Sequence, residues 1–94
     1  MNIRRVVLDV DKAVKQPSLL QIAEAVTTCP GVDALNITVE EIDIETVGTE
    51  VTIEGENLDY SAIVRAIEST GAVVHSIDQL VAGNRIVDNI RRVR

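Results

Sequence analysis

The chain has 94 residues, enough for one domain with a modest core, and Tyr60 is its single aromatic residue, so that core is aliphatic. Fifteen acids against nine Lys and Arg give a net charge of −6, and with no stacking aromatics this argues against nucleic acid as a partner. No apolar run approaches the ~20 residues of a membrane span, no signal-peptide pattern is visible, and a single cysteine, Cys29, excludes an internal disulfide; a cytoplasmic protein is expected.

Ile3 to Val10 reads as a first strand, with Val6, Leu8 and Val10 alternating with Arg5, Val7 and Asp9. The loop "DKAVKQPS" ends at a helix start. Ser18 and Gln21 have capping-box spacing, and Leu19, Ile22, Ala23 and Val26 make one helical stripe. Pro30-Gly31 stops that helix. A second strand opens near Val32, with Leu35, Ile37 and Val39 on one face.

Then the phase slips. Ile42 and Ile44 stand at even positions where the apolar residues were odd. A strand with period two cannot do this and keep one apolar face. Either a one-residue bulge sits near Glu40-Glu41, or the two isoleucines face the other side of the sheet. A turn around Val47-Gly48 leads to a third strand with Val51 and Ile53 as its apolar positions. Asp59 is a natural N-cap for a second helix, whose stripe is Ile63, Ala66, Ile67 and Thr70, and Gly71 is its expected C-terminal cap. "AVVHSI" is the fourth strand. From Leu80 on, Ile86, Ile90 and Val93 fit a short amphipathic helix or an extended arm. The division is therefore a domain over 1–80 and a basic arm or short helix over 81–94.

The order strand, helix, strand, strand, helix, strand, with right-handed crossovers and one hairpin, predicts an α+β ferredoxin-like βαββαβ fold. Its antiparallel sheet has order 4-1-3-2, both helices lie on one face, and the second strand is an edge.

The segments "IRRVVLDV", "GVDALNITVEEIDIET", "VTIEGENLDY" and "GAVVHSIDQLVAGNRIV" together resemble the archaeal domain of unknown function family 211. The resemblance runs from about Ile3 to Val87 and leaves the arginine-rich end outside. It implies a small ferredoxin-like archaeal protein that forms a homo-oligomer. It implies no activity.

"NITVEEIDIET" carries Glu40, Glu41, Asp43 and Glu45, and from Gln16 to Val64 there are ten acids and no Lys or Arg. The basic residues gather at the ends: Arg4 and Arg5 in front, Arg85, Arg91, Arg92 and Arg94 behind. Basic ends could meet the acidic middle of a neighbour. With a bulge, the hairpin register sets Ile44 opposite Val51 and Ile42 opposite Ile53. It also opposes Glu45 to Glu50, Glu41 to Glu54 and Asp43 to Thr52. A hard cation, calcium or magnesium, would relieve opposed carboxylates, and so would arginines of another subunit. A solvated edge that discourages strand pairing is the plainest reading. Without a bulge, Ile42 and Ile44 form an apolar contact patch. "DIETVGTEVTIE" lacks EF-hand spacing.

Asp9 and Asp11 lie along the free side of the first strand, with Asp78 near, and are a second carboxylate set for a cation or for acid–base chemistry. His75, the one histidine, is expected as a packed core residue between Val73 and Ile77. Cys29 belongs to no CxxC pair, which disfavours copper or zinc. No catalytic or phosphate-cradling motif is present. The expectation is a non-enzymatic binding or regulatory module, a homo-oligomer as a ring or stacked dimers. Ile42, Ile44, Arg91 and Arg92 would lie at its contacts. Glu41, Asp43, Glu45, Glu50, Glu54, Asp9 and Asp11 would be its cation ligands. An amino-acid sensor domain of the same fold order is the alternative, weakened because "DKAVKQPS" has no glycine for ligand approach.

Overall fold

A computed structural model describes residues 1–90. The elements are β1 (Ile3–Ala13), α1 (Leu19–Thr27), β2 (Val32–Ile42), β3 (Thr46–Gly55), α2 (Tyr60–Ser69) and β4 (Val73–Ala82). The sheet is antiparallel throughout, in the order β2-β3-β1-β4. This is the expected ferredoxin-like fold read from the other edge.

Local chemistry sets the helix ends. Gln21 N–H donates to Ser18 Oγ at 3.2 Å and Ser18 N–H to Gln21 Oε1 at 2.8 Å, which completes the capping box. Asp59 Oδ1 accepts from Ala62 N–H at 3.1 Å and caps α2. Each helix presents its isoleucine or valine stripe to one sheet face. Ile22, Val26, Ile63 and Ile67 are fully buried against Val6, Leu8 and Val10 of β1 and Val51 and Ile53 of β3. These β-branched side chains give a stiff core without aromatics. At the lower end of the sheet, Gly31 and Gly55 bring two backbones together. A Cβ on Gly55 would strike the Gly31 carbonyl, and Gly31 has a φ of +84° that favours glycine.

Of the two readings of the phase slip, the bulge near Glu40-Glu41 is the one observed. Val39 pairs with Thr49 but Glu41 with Gly48, so Glu40 is the extra residue. It returns Ile42 to the helix-side face, opposite Val47. The rest of the expected register is wrong. Ile42 does not face Ile53, and Ile44 does not face Val51; Val51 pairs with Ile37 and Ile53 with Leu35. The turn lies over Asp43–Glu45, not at Val47-Gly48. Asp43 N–H donates to Thr46 O at 2.8 Å and Ile44 N–H to Asp43 Oδ1 at 2.8 Å. The reason is β1, which pairs with β3 as far as Lys12 with Val47 and Ala13 with Thr46 and so holds Val47 and Gly48 in the strand.

β4 runs as far as Ala82. One further expectation changes. His75 is not in the core; its side chain is 67% exposed. Register shifts in the β1–β4 ladder make β4 irregular at His75 and Asp78, which breaks the simple alternation. The stretch from Gly83 to Ile90 has no helix, so its described part is an arm. Val93, Arg91 and Arg92 lie outside the described residues.

Candidate functional site

The helix-free face of the sheet carries the open-face residues of each strand. On β1 the charged ones are Arg5, Asp9 and Asp11, and the register sets Arg5 opposite Glu54, Asp9 opposite Glu50 and Asp11 opposite Gly48. The bulge at Glu40 then brings Glu41 opposite the same Gly48. Gly48 has no side chain, and a Cβ there would sit 3.6 Å from Asp11 Oδ1 and 3.7 Å from Glu41 Cβ, so it forms a low floor between them. The result is a trough of about 280 Å³ lined by Asp9, Asp11, Glu40, Glu41, Glu50 and Asp78, with Gly48 and Thr49. Six carboxylates line it, and among the described residues no Lys or Arg does.

The two acidic sets that the sequence keeps apart are therefore one feature. Asp9 and Asp11 join Glu41, Glu50 and Asp78. Glu40 and Gly48 are lining residues that sequence reasoning missed. Three expected ligands fall elsewhere. Asp43 and Glu45 are in the turn, and Glu54 is taken by Arg5 at 2.8 Å. The expected opposition of Glu41 to Glu54 and of Glu45 to Glu50 is replaced by Asp9 opposite Glu50 across β1 and β3. Like charges directly opposed cost some tenths to about 1 kcal/mol.

Few groups answer this charge. His75 Nδ1 stands 3.5 Å from Asp9 Oδ2, and Ser76 Oγ donates to Asp78 Oδ1 at 2.8 Å. The ion pairs among the described residues use Arg4, Arg5 and His75, and none of them reaches Asp11, Glu40, Glu41 or Glu50. Among the described residues no three His, Cys, Asp or Glu side chains form a group that could hold a metal ion. The trough thus concentrates negative charge without chelating geometry in a single chain.

Beyond the trough the hairpin projects past the helices. Every residue from Glu40 to Thr46 is exposed, Ile42 to 77% and Ile44 to 92%. Val39 and Val14 beside them are exposed as well. The tip is tied to β1 by Val14 N–H donating to Glu45 O at 3.3 Å. At the opposite end of the sheet, Arg5 gathers the arm. Its Nε donates to Glu54 Oε2 at 2.8 Å and its Nη1 to Asp88 Oδ1 at 2.8 Å and Gln79 Oε1 at 3.4 Å. The hydrogen bonds to Asp88 and then Glu54 push the guanidinium pKa up. The pairing register could have pointed to the Arg5–Glu54 pair; nothing local points to Asp88, which is 83 positions away.

Cys29 is partly buried. Its Sγ lies 3.7 Å from the carbonyls of Ala25 and Ala62, between the two helices. Burial pushes the thiol up, and Asp59 adds to the shift. No helix of the described chain is long and apolar enough to cross a membrane.

The family model of domain of unknown function family 211, described as "Uncharacterized ArCR", matches residues 4–94. The match takes in the arginine-rich end that the sequence resemblance left out. An uncharacterised protein of the archaeon Methanocaldococcus jannaschii is 47% identical over 90 residues, covering 96% of this chain and 92% of the relative.

Proposed function

The chain belongs to domain of unknown function family 211, and from that premise we propose that it acts by binding rather than by catalysis. It works as a homo-oligomer and holds divalent cations, calcium or magnesium, where its acidic trough meets a neighbouring copy. One observation carries this reading: six carboxylates share a trough that, among the described residues, no Lys or Arg lines. Positive charge must come from outside the trough. Hard divalent cations take carboxylate oxygens, and calcium takes six to eight of them in loose geometry. A single chain does not bring three such groups together among its described residues. The remaining ligands are waters and a second subunit's oxygens, so cation binding and assembly are linked.

Native mass by light scattering tests it, in EDTA and again with calcium or magnesium. The expected result is an oligomer whose mass or stability rises with the cation. Asp9→Asn with Glu50→Gln should remove the cation response. A monomer at tens of micromolar in both buffers sinks the reading.

A further inference from the structure

Two groups of acids stand out on the sheet and its hairpin. Six line the trough, while Asp43 and Glu45 stand at the hairpin tip, outside it and beside Ile42 and Ile44. The tip is thus an apolar prong rimmed by negative charge. The C-terminal arm has the opposite character: Arg85, Ile86, Val87, Asp88, Asn89 and Ile90 are followed in sequence by Arg91, Arg92, Val93 and Arg94. Its apolar side chains are not used by its own core; Ile90 is 85% exposed, and Val87 and Ile86 are also exposed. Neither Arg85 nor the tip acids Asp43 and Glu45 enter an ion pair among the described residues.

Within one molecule the two are at opposite ends of the sheet. The arm is held at Arg5, which pairs with Glu54 near the end of β3, whereas the hairpin closes at Val47 near its start. The seven steps along the strand from residue 54 to residue 47 span about 23 Å, and Ile44 lies beyond. The six steps along the chain from Asp88 to Arg94 reach at most about 22 Å even when fully stretched. The described apolar residues of the arm end at Ile90, two residues past Asp88, and so do not reach their own hairpin, whereas the arm of a neighbour placed head to tail would meet it without stretching.

We infer that the β2–β3 hairpin tip of one copy seats the C-terminal arm of a second copy. Ile86 and Ile90 of the arm cover Ile42 and Ile44, and the arm's arginines face Asp43 and Glu45. This rests on the homo-oligomer reading above and adds which surfaces meet. The contact joins two different patches, so it is heterologous; repeated with a closing rotation it gives a ring. Each subunit then makes two such contacts, which offsets the small area of each.

Charge reversal tests it on the full chain. Arg91→Glu with Arg92→Glu should raise the subunit dissociation constant at least tenfold, and Asp43→Arg with Glu45→Arg should do the same. Combining all four substitutions should restore assembly, because the pairing is rebuilt with its signs exchanged. Ile44→Asp should also weaken assembly, and unchanged far-UV circular dichroism shows that these exposed positions do not unfold the chain. A wild-type protein that assembles, and keeps its mass in every variant, overturns this contact and leaves the homo-oligomer reading standing. Weakening by both pairs without restoration in the combination also overturns it. A wild-type monomer removes both.

Discussion

β2 lives in two environments. Near its start, Leu35 and Ile37 are partly covered, opposite Ile53 and Val51, which have no exposure at all. Near its end the same ladder continues, but from Glu40 to Ile42 nothing covers either face. The ladder to β3 runs through both halves with one register shift in each; what differs is the helix layer above. The covered half is held by burial, which supplies most of the stability of such a sheet. The bare half is held by its ladder to β3 and by the tie from Val14 to Glu45, and it keeps its side chains for something other than the core. Leaving Ile42 and Ile44 in water costs hydrophobic free energy, and that exposure is the observation on which the proposed contact at the hairpin rests.

Substitutions can break this comparison, and the largest effects belong to the covered half. Ile63→Ala empties a fully buried site and should cost about 2–5 kcal/mol, read from the urea midpoint. Ile44→Ala should stay within about 0.5 kcal/mol in the monomer. Equal costs would mean that the tip is part of the core. Gly55→Ala comes next, since its Cβ meets the Gly31 carbonyl and both backbones must move; about 1–3 kcal/mol is expected in the same melt. Gly48→Ala is its counterpart on the open face. It meets only ordinary contacts and should fold as wild type while raising the trough floor, so calorimetry should show weaker calcium binding.

Smaller effects sharpen the picture. Glu50→Gln removes the charge opposite Asp9 and should stabilise the protein by some tenths to about 1 kcal/mol at low ionic strength. High salt should shrink the gain. Cys29 gives the smallest effect. Its thiol pKa is raised in the fold, so its contribution to stability is full below the ordinary thiol range and falls as pH rises through the folded value. Iodoacetamide should label it more slowly in the native protein than in urea, and fast native labelling at neutral pH would contradict its burial between the helices.

The element order, the capping box at Ser18, the Asp59 cap, the core alternation and the bulge at Glu40 were legible because each is written within a few neighbouring residues. A phase slip in hydrophobic period is local, and so is its remedy. The trough was legible only as two halves. Its union depends on which residues of β1 stand beside which residues of β3, and that register is fixed by an eleven-residue β1 that holds Val47 and Gly48 in the ladder. For the same reason the hairpin turn moved to Asp43–Glu45 and the Glu41–Glu54 opposition vanished. His75 left the core because irregularities in β4 broke a period that the sequence had suggested was regular. Local sequence thus determined the pieces and their apolar sides. Tertiary structure decided the register, the gathering of six carboxylates and the placing of Arg5 against Asp88, because pairing between distant strands is set by the whole sheet and not by any one segment of it.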